Sequence, residues 1–423
     1  MVKRRTTRRQ FLATAAALPI VGLAPNLAQA APTILRATKG AAHLGPAGAP
    51  KTSIWGYDGA VPGPLIRIKQ GQKLIRQFAN ELPQPSTIHW HGIRIKNAMD
   101  GVPGLTQPVT PPNGKFLYDF TAPDAGTYWY HPHNRTWEQL ARGLYGALVI
   151  DEHKPPHLDT DLTMLIDDWR LATGAQIADG FGSMMDWSHG GRLGNWITVN
   201  GKADFVHKAR LNERFRLRLI NTANARIFSL GLAGLSGWIV ALDGQPLAAP
   251  LPAEHLVLAP AQRADLIVDI SEPVKSKAHL LFFEGNREYV LGTFDVSGTA
   301  RNHRLPQPQP LPPNPLPDLG SLDKARRVNL HMEGGAMGAM RGAMMRGQMM
   351  PMGSLVENGK VWAFNGMAEQ SEKPLITASV GETIRLKMKN DTVWPHAIHL
   401  HGHHFRQIAK GVEPGPLRDT HLI

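Results

Sequence analysis

GQKLIRQFAN, residues 71–80, carries apolar side chains at alternating positions between a polar start and a closing asparagine. Alternation with a period of two is the mark of a strand with one face in a core and the other in water. The same pattern returns as NERFRLRLIN at 212–221 and GETIRLKMKN at 381–390, each ending on asparagine. A recurrence at this spacing divides the chain into repeated structural units. Between the three copies lie further short apolar runs, among them PLIRI, TYWY, LTMLI, WITV, DLIVDI and LLFF, separated by Gly, Pro and Asn. With 42 glycines and 34 prolines, the composition favours turns and strands over helical bundles. The expectation is an all-β chain of three β-sandwich or barrel units over 31–153, 154–300 and 323–423. A stiff proline-rich linker, 301–322, joins the last two.

Residues 1–30 read as an export signal. TRRQFLA (7–13) places paired arginines before an apolar run that continues to about Leu23, and AQA (28–30) offers small residues for cleavage. The run is too short to remain as a membrane span. The paired arginines resemble signals read by the twin-arginine machinery, which implies a periplasmic or otherwise exported protein. Lys3, Arg4, Arg5, Arg8 and Arg9 supply five of the twelve net positive charges. The remainder is mildly basic and shows no basic stripe interleaved with aromatics, so nucleic acid is not an expected partner. The sequence has no cysteine, so no disulfide supports the cores.

Aligning the units on their asparagines locates the chemistry. Nine residues after Asn80 stands His89, in HWHG; nine after Asn390 stands His399, in HLHG; nine after Asn221 stands Leu230, in LGL. One structural position thus carries His-x-His in the outer units and Leu-x-Leu in the middle one. The outer units are expected to hold metal there, with the middle unit acting only as a spacer. Six residues after the asparagine, the last unit has His396, where the others have Ser86 and Ile227. Residues i and i+2 of a strand point the same way, roughly 6.6–6.8 Å apart, so such a pair can serve two neighbouring metals. A third pair, His131/His133, follows in GTYWYHPH. Imidazole alone suits Zn, Cu, Fe or Ni and does not choose among them.

HWHG, YWYHPH and HxxHLHGHxF, in this order on strand-rich units, resemble the multicopper oxidases, with bacterial laccases and cuprous oxidases as the nearest kinds. The resemblance spans the chain after its signal. It implies three cupredoxin-like Greek-key domains, a type 1 copper in the third, and a trinuclear copper cluster between the first and third where dioxygen is reduced to water. By motif position, His89 and His399 would hold the type 2 copper. His91, His131, His133 and His401 would hold the type 3 pair, and His396 would be a type 1 ligand. Asp100, in MDG, reads as a turn residue; the resemblance also implies a role relaying protons to dioxygen.

The sequence departs from the family in one respect. Type 1 copper needs a thiolate, which the family supplies in a late His-Cys-His motif, and none is present. The step from His89 to His131, taken on from His399, falls beyond Ile423. The expectation is therefore an incomplete third unit, a truncated chain without oxidase competence of its own, and unpaired strand edges. The alternative is a non-catalytic periplasmic protein that sequesters copper.

MEGGAMGAMRGAMMRGQMMPMG (332–353) holds eight of the fifteen methionines: Met332, Met337, Met340, Met344, Met345, Met349, Met350 and Met352. Thioethers favour Cu(I). Lacking β-branched residues, the segment reads as a disordered loop outside any core. Its position resembles the methionine-rich insert of periplasmic cuprous oxidases. That implies Cu(I) as reductant, with small phenols secondary, dioxygen as acceptor, a role in copper tolerance, and a monomer.

Overall fold

Each repeated strand is closed by the same three hydrogen bonds from its asparagine. Asn80 Nδ2 donates to the carbonyls of Gln84 and Thr110 (both 2.9 Å), while Oδ1 accepts from Leu82 N–H (3.2 Å). Asn221 does the same with Arg226 (2.8 Å), Leu258 (2.9 Å) and Ala223 (3.0 Å). Asn390 repeats it with Trp394 (2.8 Å), Ile423 (3.2 Å) and Thr392 (3.0 Å). The asparagine ends the strand by turning its own amide into a short backbone substitute. It then ties the departing chain to the backbone some thirty to forty residues further on, at Thr110, Leu258 and Ile423. This clip sets the register of the chain leaving the strand, which is why a fixed count from it finds His89, Leu230 and His399.

The computed structural model describes residues 32–317, 320–371, 373–409 and 412–423; the signal expected over 1–30 lies outside them. No helix among the described residues is long and apolar enough to cross a membrane. The all-β class is observed. The first unit packs a sheet ordered Thr52–Tyr57, Thr33–Ala42, Lys73–Asn80, Lys115–Thr121 against one ordered Ile66–Lys69, Gly146–Asp151, Gly126–His131, His89–His91. Between them lie Tyr57, Phe78, Trp90, Tyr118, Tyr130 and Leu148, all fully buried. The middle unit is a sandwich of six and five strands around Phe215, Leu217, Leu219, Phe228, Leu230 and Phe294. Leu230 fills there the position that His89 holds in the first unit.

The last unit is less completely paired. Its strands form one three-stranded sheet (Trp362–Phe364, Arg326–Gly334, Ile384–Asn390) and three two-stranded pairs. Its buried cluster comprises Ala343, Met345, Leu355, Ala363 and Ala368, while Ile384, Leu386 and Met388 remain only half-buried. The proline-rich segment has no regular element over 301–317 but is not loose. Leu311 is buried beside Val240, Ala241 and Ile267, and Asn314 hydrogen-bonds both Ala125 N–H and Ala125 O.

Two expectations are corrected. The Arg214–Asn221 strand is buried along its whole length rather than on one face. Its arginines do not reach water: Arg214 forks onto Asp269, Arg216 onto Asp265 and Glu152, and Arg218 onto Asp161 and Thr127. Burying guanidinium groups is tolerable only with such pairing, and breaking one pair costs about 3–5 kcal/mol.

The methionine segment is folded rather than a disordered loop. Gly342–Met345 and Gln348–Pro351 form a hairpin turning at Arg346-Gly347, both with positive φ, followed by a short helix, Met352–Glu357. Met332 and Met345 are buried, and Met340, Met350 and Met352 pack on the small core. The thioether supplies the apolar bulk that the missing branched residues do not.

Replacing Asn221 by Ala removes three hydrogen bonds from a fully buried site in the unit that carries no His-x-His pair. Denaturant unfolding should show a loss of about 3 kcal/mol. A loss under about 1 kcal/mol, the worth of a single bond, would show that the asparagine is not what fixes the turn.

Candidate metal centre

The His89–His91 strand pairs antiparallel with Gly126–His131, placing His89 opposite His131 and His91 opposite Trp129. Alternation turns Trp90 into the first core and both histidines to the other face. In the last unit, Ala397–His399 pairs with Thr420–Leu422, with His399 opposite Thr420. The two faces meet. His91 and His399 stack with ring centroids 3.8 Å apart, and His89 and His401 lie 4.1 Å apart. His131 is 5.3 Å from His89, and His133 is 5.0 Å from His401. Six imidazoles from opposite ends of the sequence thus share one buried or half-buried pocket.

One nitrogen of most of these rings is already committed. His89 Nδ1 donates to the Asp100 carbonyl (2.7 Å), His131 Nδ1 to that of Pro132 (2.9 Å), and His399 Nδ1 to that of Asp419 (2.8 Å). His401 Nδ1 donates to Asp100 Oδ2 (2.8 Å). His91 is reversed: its Nε2 faces Thr420 Oγ1 (3.3 Å) and Asp419 Oδ1 (3.4 Å), leaving Nδ1 3.3 Å from His131 Nε2. Such contacts fix which nitrogen keeps its lone pair. The remaining nitrogens point inward, and Nε2 of both His89 and His399 is buried without any hydrogen-bond partner. Burial lowers the His89 pKa to about 4 and holds His91 and His131 well below the usual range; neighbouring imidazoles add to this. These three rings are neutral, the form that ligates metal.

Two carboxylates flank the pocket. Burial raises their pKa values, but that effect is outweighed. Hydrogen bonds from His401 and His89 keep Asp100 well below the carboxylate range; the Arg263 charge and bonds from His399 and His91 do so for Asp419. Neutral imidazoles, unpartnered inward lone pairs and two anions make a pocket complementary to cations. Three donor sets lie close enough to share an ion: His89/His399/His401, His89/His91/His131 and His91/His399/Asp419. The donors fit copper, although imidazole alone does not exclude other borderline metals.

The turn at Asp100 is shaped for this. Gly101 has φ +85°, and a Cβ there would lie 1.9 Å from the Ile88 carbonyl, so the chain can press Asp100 against the histidine strand only with glycine following.

His396 stands apart. Its ring packs against Trp362 at 5.0 Å, its Nε2 is 3.0 Å from Thr392 Oγ1, and among the described residues no set of three His, Cys or carboxylate donors includes it. Of the methionines, Met337 and Met349 are strongly exposed, whereas Met332 and Met345 are closed off from solutes. Sequence reasoning missed Asp419, Thr420, Gln262 and Arg263. The last two correct the idea that the middle unit is only a spacer, because they reach the pocket's wall. No spacing rule marks them; the only hint was an acid inside the strand-like RDTHLI.

Family profiles described as multicopper oxidase match residues 40–155, 160–292 and 344–421. The chain is 29% identical to the multicopper oxidase MmcO of Mycobacterium tuberculosis, an alignment covering 89% of this chain and 77% of that one. It is 28% identical to copper resistance protein A of Pseudomonas syringae pv. tomato over 78% of this chain and 62% of that protein. Among solved structures, Lac15 from a marine microbial metagenome superposes with a TM-score of 0.76 at 38% identity. That match covers 93% of this chain and 90% of Lac15.

After loading with Cu(II) and desalting, the unaltered chain should retain copper, and His89→Ala and His399→Ala should each weaken retention by more than the roughly 10–100-fold that losing a mere orienting partner costs. His403→Ala, at an exposed ring, should not. Metal analysis after chelator challenge distinguishes the two; equal retention by all variants contradicts the assignment.

Proposed function

The chain belongs to the multicopper oxidase family, and on that premise we propose that it serves an exported oxidase coupling one-electron oxidation of Cu(I), or secondarily of small phenols, to reduction of dioxygen to water in copper tolerance. The observation that supports this best is the convergence of His89/His91 with His399/His401, at 3.8 and 4.1 Å between ring centroids. We assign His89 and His399 to a type 2 copper, His91, His131, His133 and His401 to a type 3 pair, and His396 to a type 1 site. Bound copper supplies the one-electron redox chemistry; the protein's part is placement, charge and protons.

His89 and His399 offer buried Nε2 lone pairs held in place by carbonyls on the far side of each ring. Asp100 has two tasks. Its Oδ2 keeps the His401 proton on Nδ1, so that Nε2 is the free donor. We also assign Asp100 the relay of protons bound for dioxygen, as the family resemblance implies. The exposed thioethers of Met337 and Met349 are suited to collect Cu(I) from solution. Export rests on the paired arginines, the apolar run and the small-residue site of residues 1–30, through the twin-arginine machinery.

A second reading has one specific observation in its favour. The 423 residues contain no cysteine, so this chain alone provides no thiolate for a type 1 site. By itself it then holds copper without turnover, as a sequestering protein would.

Copper-loaded chain should therefore retain metal yet show no intense thiolate-to-copper colour and no Cu(I)-dependent uptake of dioxygen. Cu(I)-dependent uptake of dioxygen by the cysteine-free chain alone would show that it turns over without a thiolate, and would remove the ground for the sequestering reading.

A further inference from the structure

The pair Arg263–Asp419 lies at the wall of the metal pocket, and its two halves come from different units. Arg263 opens the Arg263–Ile270 strand of the middle unit; Asp419 precedes the strand opposite His399. Both are buried to within 1% of full exclusion from solvent. The guanidinium forks onto the carboxylate, Nη1 to Oδ1 at 2.8 Å and Nη2 to Oδ2 at 2.6 Å. Nε donates to the Thr127 carbonyl of the first unit (3.2 Å), and Nη1 also to Ala261 O (3.2 Å). Next to it, Gln262 Nε2 donates to the Thr420 carbonyl (2.9 Å). The middle unit thus grips residues 419 and 420 by two adjacent side chains.

Those two residues face the histidines. Asp419 Oδ1 is 3.4 Å from His91 Nε2 and 3.5 Å from His399 Nδ1, and it also accepts from Thr420 Oγ1 at 2.8 Å. The glycine of HWHG adjoins the same pair. A Cβ on Gly92 would come within 2.2 Å of Arg263 Nη2 and 2.4 Å of Asp419 Oδ2, so the histidine strand leaves room for the ion pair with no side chain between.

A carboxylate so near two imidazoles has two possible partners. It can remain with its arginine and orient the rings, or it can turn and become a ligand itself, since His91, His399 and Asp419 are close enough to share an ion. The fork occupies both oxygens and settles the choice. We propose that Arg263 is a positioning residue of the copper centre, supplied by the middle unit, which holds Asp419 off the metal so that the cluster keeps an all-imidazole donor set. This rests on the reading of the histidine cluster as a copper centre. It also explains what the otherwise copper-free middle unit contributes: a fixed cation at the seam between the outer two.

The test is the electron paramagnetic resonance spectrum of the full chain loaded with Cu(II) alone. Unaltered chain should give nitrogen-only coupling. Arg263→Met, which frees Asp419, should show loss of nitrogen coupling and a shift of the copper hyperfine lines as a carboxylate oxygen joins the ligands. Arg263→Met/Asp419→Leu replaces the pair by apolar groups, which is tolerated in cores, and should lose that oxygen signature. Arg263→Lys keeps the charge but not the fork, and should give a mixture of the two spectra. A merely structural role would change stability and leave the spectrum of any folded variant alone. Spectra of Arg263→Met and Arg263→Lys that superimpose on that of the unaltered chain overturn the proposal. If Arg263→Met does not fold, the Lys variant decides by the same comparison. Unaltered chain that binds no Cu(II) in the pocket overturns the copper-centre reading itself, and this inference with it.

Discussion

The organisation of the chain depends on the meeting of two histidine-bearing strands that are some three hundred residues apart. His91 stacks on His399 and His89 tilts against His401, with Nε2 of both His89 and His399 left without a hydrogen-bond partner. Burying unpartnered polar nitrogens is costly, and a bound cation would relieve that cost. The surrounding features follow from that need: carbonyls that fix each ring's tautomer, two ionised carboxylates at the edge, and a core residue, Trp129, stacked on His131 at 4.2 Å.

Holding the two strands together falls to the middle unit. The Arg216–Glu152 and Arg218–Thr127 contacts bolt it to the first unit, and the Arg263–Asp419 and Arg418–Asp243 pairs bolt it to the last. Ion pairs at these seams are directional in a way that apolar contacts are not. They therefore fix the mutual placement of histidines on which a multi-metal pocket depends.

Much of this was legible in the sequence because it is local or periodic. The repeated strand and its asparagine are local, and the asparagine clip carries the same count to His89, Leu230 and His399. The i, i+2 histidines follow from strand geometry alone. What was not legible is tertiary. No pattern in RADLIVDI tells that Arg263 turns toward Asp419 rather than to water. The arginines of RFRLRLIN look solvent-facing until Asp265 and Glu152 are placed beside them. The methionine segment misled through composition: glycine and unbranched side chains suggested disorder. The two-residue Arg346-Gly347 turn and the facing pair Met344/Met349 were the overlooked hairpin signals.

The central claim is that imidazoles from both ends of the chain hold metal jointly. Crystals of the chain soaked with Cu(II) and measured on either side of the copper absorption edge address it directly. Anomalous density between the His89/His91/His131 rings and the His399/His401 rings, absent below the edge, is the result this account predicts. Copper confined to the exposed His403 ring or to the methionine hairpin, with the pocket empty, would contradict it.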